Sequence, residues 1–143
     1  SGISITSHDS SDNILHSELI EELKEKSAGR FTIQGEKGTG KSTFLQTLKQ
    51  DFNTAIYIPP YNSLMYNQAV SNETTIEDMS TGQKQFKNIV SFLNQKNTVE
   101  EFKILLLDEW DSNLDQEKIQ VINKQLNLLA ATSLIVEVRH RSP

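Results

Sequence analysis

The sequence predicts an α/β fold in which a mostly parallel sheet carries helices on both faces. Short β-prone segments alternate with amphipathic helical segments, and this alternation is typical of parallel sheets with right-handed crossovers. The continuous aliphatic run within Lys103 to Leu107 has the character of a strand buried on both faces. At 143 residues the chain suits one hydrophobic core, so we expect residues 1–143 to form a single domain.

The predicted helices follow from apolar residues that recur at helical spacing among polar ones. Residues 1–12 lack this pattern and are rich in Ser, Asp and Gly, so we expect a flexible tail or an edge segment there. Ser11 and Asp12 are the expected caps of the first helix. The pattern indicates helices over 13–26, 43–51, 82–95 and 116–131.

The predicted strands are short β-prone or aliphatic segments between these helices. Pro59 and Pro60 end the second strand, because proline donates no ladder hydrogen bond and restricts the residue before it. A polar loop region then extends to about Asp78. The strands are indicated over 30–34, 54–58, 103–107 and 133–138.

Composition narrows the classes of function. The net charge is −5 with no basic run, which argues against nucleic acid as a direct partner. The absence of cysteine excludes disulfides and thiolate catalysis and fits a reducing cytoplasm. No apolar stretch reaches the length needed to cross a bilayer, so we expect a cytoplasmic domain. The missing initiator Met leaves open that the chain is a piece of a longer one.

A glycine-rich loop carries the strongest chemical signal. It lies between a predicted strand and a predicted helix, where its backbone N–H groups and the helix N-terminus can bind the phosphates of a nucleotide. Lys41 is placed to reach the β- and γ-phosphates of ATP, Ser42 to ligate Mg²⁺, and Thr43 to contact phosphate. The pattern, that of a P-loop NTPase, is complete in Gly35-Glu36-Lys37-Gly38-Thr39-Gly40-Lys41-Ser42.

Two carboxylates follow the aliphatic strand directly. Ligands bind at the carboxyl ends of strands in open α/β sheets, so the position of Asp108 and Glu109 is informative. Asp108 is expected to hold Mg²⁺ through water, and Glu109 to polarise the water that attacks the γ-phosphate. The alternative is a solvated strand end with two ordinary acids.

With these motifs in place, residues 30–140 resemble the nucleotide-binding domains of ABC transporters in the order of their motifs. The segment Met79-Ser80-Thr81-Gly82-Gln83 is similar to the signature motif of that family. The segment Ser112-Asn113-Leu114-Asp115 is similar to its D-loop, and His140 stands where its switch histidine follows a strand. Without that order, Ser80 is better interpreted as an ordinary helix cap and His140 as a solvated histidine near a chain end.

The resemblance implies an ATPase that forms a head-to-tail dimer. Each ATP would lie between the glycine loop of one copy and Ser80, Thr81, Gly82 and Gln83 of the other, with His140 at the γ-phosphate. A transmembrane partner would place the domain at the cytoplasmic face of a membrane. Two departures bear on this: the stretch from Lys41 to Ser80 is much shorter than in the family, and Pro59 and Pro60 replace its Q-loop glutamine.

Three functions are therefore open. The first is an ABC-type ATPase with a reduced helical subdomain that drives a partner. The second is a nucleotide-gated binding module with negligible turnover. The third is a different P-loop NTPase, such as a kinase, in which the resemblance of Ser80 to Gln83 is coincidental.

Overall fold

The fold combines one sheet with two layers of helices. The structure, a computed structural model, describes residues 2–10, 12–60, 81–96 and 103–140. Within these ranges there are six strands, β1 to β6: Ile3–Ser7, Asn13–Ile14, Gly29–Gly35, Ile56–Ile58, Ile104–Asp108 and Leu134–Val138. The same ranges contain four helices, α1 to α4: His16–Glu25, Lys41–Asp51, Thr81–Lys96 and Gln116–Leu129.

The sheet is mixed but mostly parallel. Its strand order is β2-β1-β3-β6-β5-β4, in which β3, β6, β5 and β4 are parallel and β1 is antiparallel to both of its neighbours. The predicted α/β P-loop fold is thus confirmed. The order places β6 between β3, which leads into the glycine loop, and β5, which ends at Asp108.

Both faces of the parallel strands are buried, which explains their continuous apolar character. Alternate residues of β6 point to opposite faces, so Val136 packs in one core cluster and Ile135 in the other. The first cluster contains apolar residues of α1 and α2, among them Leu19 and Leu45. The second contains apolar residues of α3 and α4, among them Ile89. The two helical layers that the sequence predicts are therefore present.

The N-terminal residues differ from the prediction. Residues 3–7 form β1, which pairs with β3 from Ile3 opposite Gly35 to Ser7 opposite Phe31, so the expectation of a flexible tail is wrong for this segment. The alternative of an edge segment agrees with the structure, because β2 and β1 are the outermost two strands on one side of the sheet. Asn13 and Ile14 form β2 instead of opening a helix. Helix α1 begins at His16, and the Leu15 N–H donates to Glu18 Oε1 at 2.9 Å. Asp12 therefore does not cap it.

The other predicted elements are present with boundaries shifted by at most two residues. Helix α2 starts at Lys41, earlier than predicted, and so follows the glycine loop without a gap. The polar region predicted up to Asp78 lies outside the described residues from position 61 onward. None of the helices described in the structure is long and apolar enough to cross a bilayer.

Candidate active site

The glycine loop leaves β3 at Gly35 and enters α2 at Lys41. Gly38 and Gly40 have φ values of 85° and 89°, a left-handed conformation that glycine adopts without steric cost. Inside the loop, the Thr39 N–H and hydroxyl both donate to the Glu36 carbonyl, at 3.2 and 2.7 Å. Gly40, at the N-cap of α2, has no side chain to accept from the first N–H groups of the helix. Those donors therefore remain open to an anion.

Lys41 reaches back across the loop that precedes it. Its ammonium group donates to the carbonyl of Gly35, and the residue is half-buried. The positive charge thus lies at the loop, where phosphate oxygens would have to be held. Ser42 is half-buried and Thr43 exposed in the first turn of α2, so the predicted phosphate contacts all come from one short segment.

Strand β1 packs directly against the glycine loop. A Cβ atom at Gly35 would lie 2.6 Å from the carbonyl oxygen of Gly2 and 2.9 Å from the Thr39 hydroxyl. Glycine is required at position 35 because two backbone segments approach each other closely there. The N-terminal segment therefore forms part of the wall of the candidate site.

Asp108 is the last residue of β5 and is 1% exposed. Its Oδ2 accepts a hydrogen bond from the Tyr57 hydroxyl at 2.8 Å, while its Oδ1 is buried without a hydrogen-bond partner among the described residues. Burial raises the pKa of Tyr57, the contact with Asp108 raises it further, and a hydrogen bond with Gln46 opposes both. Tyr57 therefore contacts a predicted metal ligand.

Glu109 has an unusual backbone conformation. Its φ is 47°, in the left-handed region that non-glycine residues seldom adopt. Two hydrogen bonds hold it there: its N–H donates to the Val138 carbonyl at 2.8 Å, and its carbonyl accepts from the Ser112 N–H at 3.3 Å. Strain of this kind concentrates at functional sites. The contact with Val138 also fixes Glu109 against the end of β6.

The end of β6 connects the two halves of the site. Val138 is level with Ile33 of β3 on one side and with Asp108 of β5 on the other. Neighbouring strands lie about 4.8 Å apart, so the ends of β3 and β5 are roughly 10 Å apart. His140 follows β6 and is exposed. A pocket of about 460 Å³ opens beside it, lined by Gly2, Gln34, Gly35, Glu36, Thr39, Arg139 and His140.

A buried ionic cluster lies under this edge of the sheet, and the sequence analysis missed it. Glu137 is completely buried and accepts two hydrogen bonds from Arg30, at 2.7 and 3.0 Å. It also accepts from Thr32 and from Trp110 Nε1, each at 2.7 Å. Burial would raise the pKa of Glu137, but Arg30, Trp110 and Arg139 together hold it below its ordinary value. Glu137 is therefore ionised in the core.

The N-terminal segment also contacts this cluster. Thr32 donates its hydroxyl proton to Glu137, so it accepts from His8 Nε2 at 2.7 Å. Burial lowers the pKa of His8, and the positive charge of Arg30 lowers it further, although Glu137 acts in the opposite direction. These contacts attach the residue after β1 to the core, which explains why this segment is not a free tail.

A second set of contacts joins the cluster to the end of β6. The Nε of Arg139 lies 3.2 Å from Asp111 Oδ2, and its guanidinium carbon lies 4.5 Å from the centre of the Trp110 ring. Asp111 Oδ1 accepts the backbone N–H of His140 at 2.7 Å. Asp111 therefore holds both residues that follow β6, and it orients the chain beside the pocket.

The signature-like segment can be located only in part. Met79 and Ser80 lie outside the described residues, and α3 starts at Thr81 with Gly82 half-buried and Gln83 exposed. The buried Gln85 donates to the Trp110 carbonyl and accepts from Asn113 Nδ2 at 3.1 Å. The first turns of α3 thus contact the residues after Glu109.

The predicted residues therefore separate into two groups. Glycine-loop residues 35–43, Asp108, Glu109 and His140 lie at one edge of the sheet, where the carboxyl ends of β3, β5 and β6 meet. Gly82 and Gln83 lie on α3, whose apolar residues pack with those of α4 in the second core cluster. Within the described ranges, no group of three or more His, Asp or Glu side chains could hold a metal ion.

A glycine loop with its lysine and an acid pair at the carboxyl edge of a mostly parallel sheet define a P-loop NTPase domain. A model of the KAP family P-loop domain matches residues 12–141, which is most of the chain. The chain therefore belongs to the KAP family of P-loop domains. No curated protein gives a significant match.

This result corrects the finer part of the sequence interpretation. The P-loop class is confirmed, but the KAP family is a different family from the ABC transporter domains. The glycine loop and the acid pair occur in many P-loop families, so they do not distinguish among them. The signature-like and D-loop-like segments were the distinguishing evidence, and the family match gives them no support.

Proposed function

We propose that this domain binds ATP with Mg²⁺ and hydrolyses its γ-phosphate bond. One observation carries the proposal: the glycine loop ends β3 and the acid pair ends β5, with only β6 between them. The separation of roughly 10 Å allows a triphosphate held by the loop to extend toward the acids. Membership of a P-loop family supports the same chemistry.

The loop residues would bind and orient the nucleotide. The open N–H groups at the start of α2 would donate to phosphate oxygens, aided by the positive end of the α2 dipole. Lys41 would exchange its hydrogen bond to Gly35 for the β- and γ-phosphates. Catalysis of phosphoryl transfer depends mainly on such positioning and charge stabilisation.

The side-chain oxygens of Ser42 and Asp108 are suitable ligands for a magnesium ion. Mg²⁺ prefers hard oxygen ligands, and the Ser42 hydroxyl and the Asp108 carboxylate supply them. Asp108 Oδ1 has no hydrogen-bond partner among the residues that the structure describes, which supports this fit, because a buried carboxylate oxygen normally has a donor. When bound, Mg²⁺ neutralises charge on the β- and γ-phosphate oxygens.

Glu109 and His140 would act on the attacking water and the γ-phosphate. The carboxylate of Glu109 would orient the water and accept its proton, while His140 would contact the γ-phosphate from the end of β6. The hydrogen bond from Glu109 to Val138 and that from His140 to Asp111 hold both backbones next to the pocket. These two residues thus complete a site whose other half is the glycine loop.

The test is phosphate release by the purified domain with and without Mg²⁺. We expect release that requires Mg²⁺ and falls about 100-fold in Glu109→Gln, because the amide cannot accept the proton. ATP binding should be unchanged in this variant, since the glycine loop is intact. The matched control is Glu21→Gln, which changes an exposed glutamate on α1 and should leave release unchanged.

Three outcomes separate the alternatives. Equal rates for Glu109→Gln and the parent would show that Glu109 does not catalyse hydrolysis. Tight ATP binding with no measurable release from the parent would favour the nucleotide-gated module. Failure of the parent to bind ATP at all would contradict the proposed function itself.

Dimer formation is a separate prediction that rests on the sequence resemblance alone. If Ser80, Thr81, Gly82 and Gln83 complete the ATP site of a second copy, ATP should convert monomer to dimer. Glu109→Gln should lengthen the lifetime of that dimer, because ATP would persist in it. Sedimentation velocity with ATP and with ADP measures the fraction of dimer. A monomer under both conditions would contradict the head-to-tail dimer and any transport powered by its formation.

A further inference from the structure

Tyr57 bridges two elements of the candidate site. It lies on β4, and its hydroxyl donates to Asp108 Oδ2 at 2.8 Å on the neighbouring β5. The Gln46 side chain of α2 lies close to the same hydroxyl and lowers the pKa of Tyr57. The residue is half-buried and packs against the first core cluster. Core packing therefore holds the ring of Tyr57, and Asp108 holds its hydroxyl.

The position of Gln46 relates this bridge to the metal site. Gln46 follows Ser42 by four residues on α2, so the two side chains lie on one face of the helix, one above the other. Tyr57 therefore lies between the face of α2 that carries Ser42 and the carboxylate of Asp108. These are the two side chains that would hold Mg²⁺.

The bridge also determines which oxygen of Asp108 is available. Tyr57 occupies Oδ2, whereas Oδ1 is buried and has no hydrogen-bond partner in the described part of the chain. When a hydrogen bond fixes one oxygen of a carboxylate, the direction of the other oxygen is fixed as well. Partners of this kind orient metal ligands, and their removal typically lowers metal affinity about 10- to 100-fold.

We propose that Tyr57 is a positioning residue, which fixes Asp108 through Oδ2 so that Oδ1 faces the water shell of the Mg²⁺ bound with ATP. The inference rests on the proposed function and adds a residue to that site. Tyr57 does not touch the nucleotide in this arrangement. Its removal should therefore change the effect of Mg²⁺ and leave the affinity for metal-free ATP unchanged.

The experiment measures ATP affinity by fluorescence with a labelled ATP analogue, in EDTA and over a series of free Mg²⁺ concentrations. For Tyr57→Phe we expect an unchanged dissociation constant in EDTA and a half-saturating Mg²⁺ concentration about tenfold higher than in the parent. Gln46→Ala removes the neighbouring polar side chain on α2 but keeps the hydrogen bond from Tyr57 to Asp108, so it should raise the half-saturating Mg²⁺ concentration less. Hydrolysis at saturating Mg²⁺ should retain a kcat within about threefold of the parent, since Glu109 is untouched.

The control removes a hydroxyl elsewhere in the sheet. Thr6→Val deletes a β1 hydroxyl that donates only to Asn13, at 3.2 Å, and should not alter the Mg²⁺ dependence. An unchanged Mg²⁺ dependence in Tyr57→Phe would overturn the inference, as would a loss of affinity equal in EDTA and in Mg²⁺. A parent protein that does not bind ATP would fail in the first measurement, so failure of the proposed function is distinguishable from failure of the Tyr57 role.

Discussion

Replacing Lys41 by alanine is expected to weaken ATP binding about 1000-fold, which corresponds to about 4 kcal/mol. The ammonium group lies at the glycine loop, where it donates to the Gly35 carbonyl. On binding it would form charge-assisted hydrogen bonds to two phosphates, each worth roughly 1.5–3 kcal/mol.

The measurement is ATP binding by isothermal titration calorimetry at fixed ionic strength. The matched control is Lys49→Ala, which removes a lysine from the last turn of the same helix, where it donates to the Asn53 carbonyl at 3.4 Å. Its ATP affinity should stay near that of the parent. A Lys41→Ala protein that is folded by circular dichroism and binds ATP within threefold of the parent would contradict the assignment of the phosphate site.

Replacing Glu137 by alanine is expected to lower the free energy of unfolding by about 3–5 kcal/mol. The substitution leaves the Arg30 guanidinium, 2% exposed, without its carboxylate partner. It also leaves Trp110 Nε1 and the Thr32 hydroxyl without their acceptor. An unpaired buried charge costs much more than the loss of a surface ion pair.

Urea denaturation measures this loss, with Glu117→Ala as the control because that glutamate is exposed on α4. The control should change stability by less than about 0.5 kcal/mol.

The stabilisation by Glu137 should also depend on pH. The pKa of Glu137 is lowered in the folded state, so its carboxylate stabilises the fold fully above the pKa of the unfolded state. This stabilisation is lost as the pH falls through the pKa of the folded state. The difference between parent and Glu137→Gln should therefore shrink below about pH 4.5. A constant difference down to pH 3 would contradict the assigned ionisation.

The glycine loop and the position of the two acids could be predicted because their sequence signals are local. The residues that shape the loop lie within one stretch, and the aliphatic strand before Asp108 fixes the position of the acids at its carboxyl end. The glycine loop and the acids lie on the same side of the sheet because they follow the carboxyl ends of parallel strands. The family could not be assigned in the same way, because the segments that separate P-loop families, such as Ser80 to Gln83, are short and degenerate.

The N-terminal strand was missed although its pattern is present in the sequence. Ile3 and Ile5 alternate with Ser4 and Thr6, the period of two that indicates a strand with one buried face. The polar composition of residues 1–12 concealed this short alternation. Its pairing with β3 depends on the close approach of Gly2 to Gly35, which requires the tertiary structure.

The contacts made by Glu137 and Tyr57 could not be predicted from the sequence. The partners of Glu137 include Arg30, 107 positions earlier, and Tyr57 meets Asp108 across 51 positions. Local periodicity contains no information about such pairs. A glutamate in an aliphatic strand would instead suggest a solvent-facing position, whereas Glu137 is completely buried because four donors satisfy it.

The left-handed backbone at Glu109 lowers the stability of the fold. A side chain in that conformation costs of order 1–3 kcal/mol, which glycine would avoid. Selection for heat resistance alone would therefore favour glycine at this position, at the expense of the hydrolysis that we propose depends on the Glu109 carboxylate. Under that proposal, stability and turnover make opposite demands on residue 109.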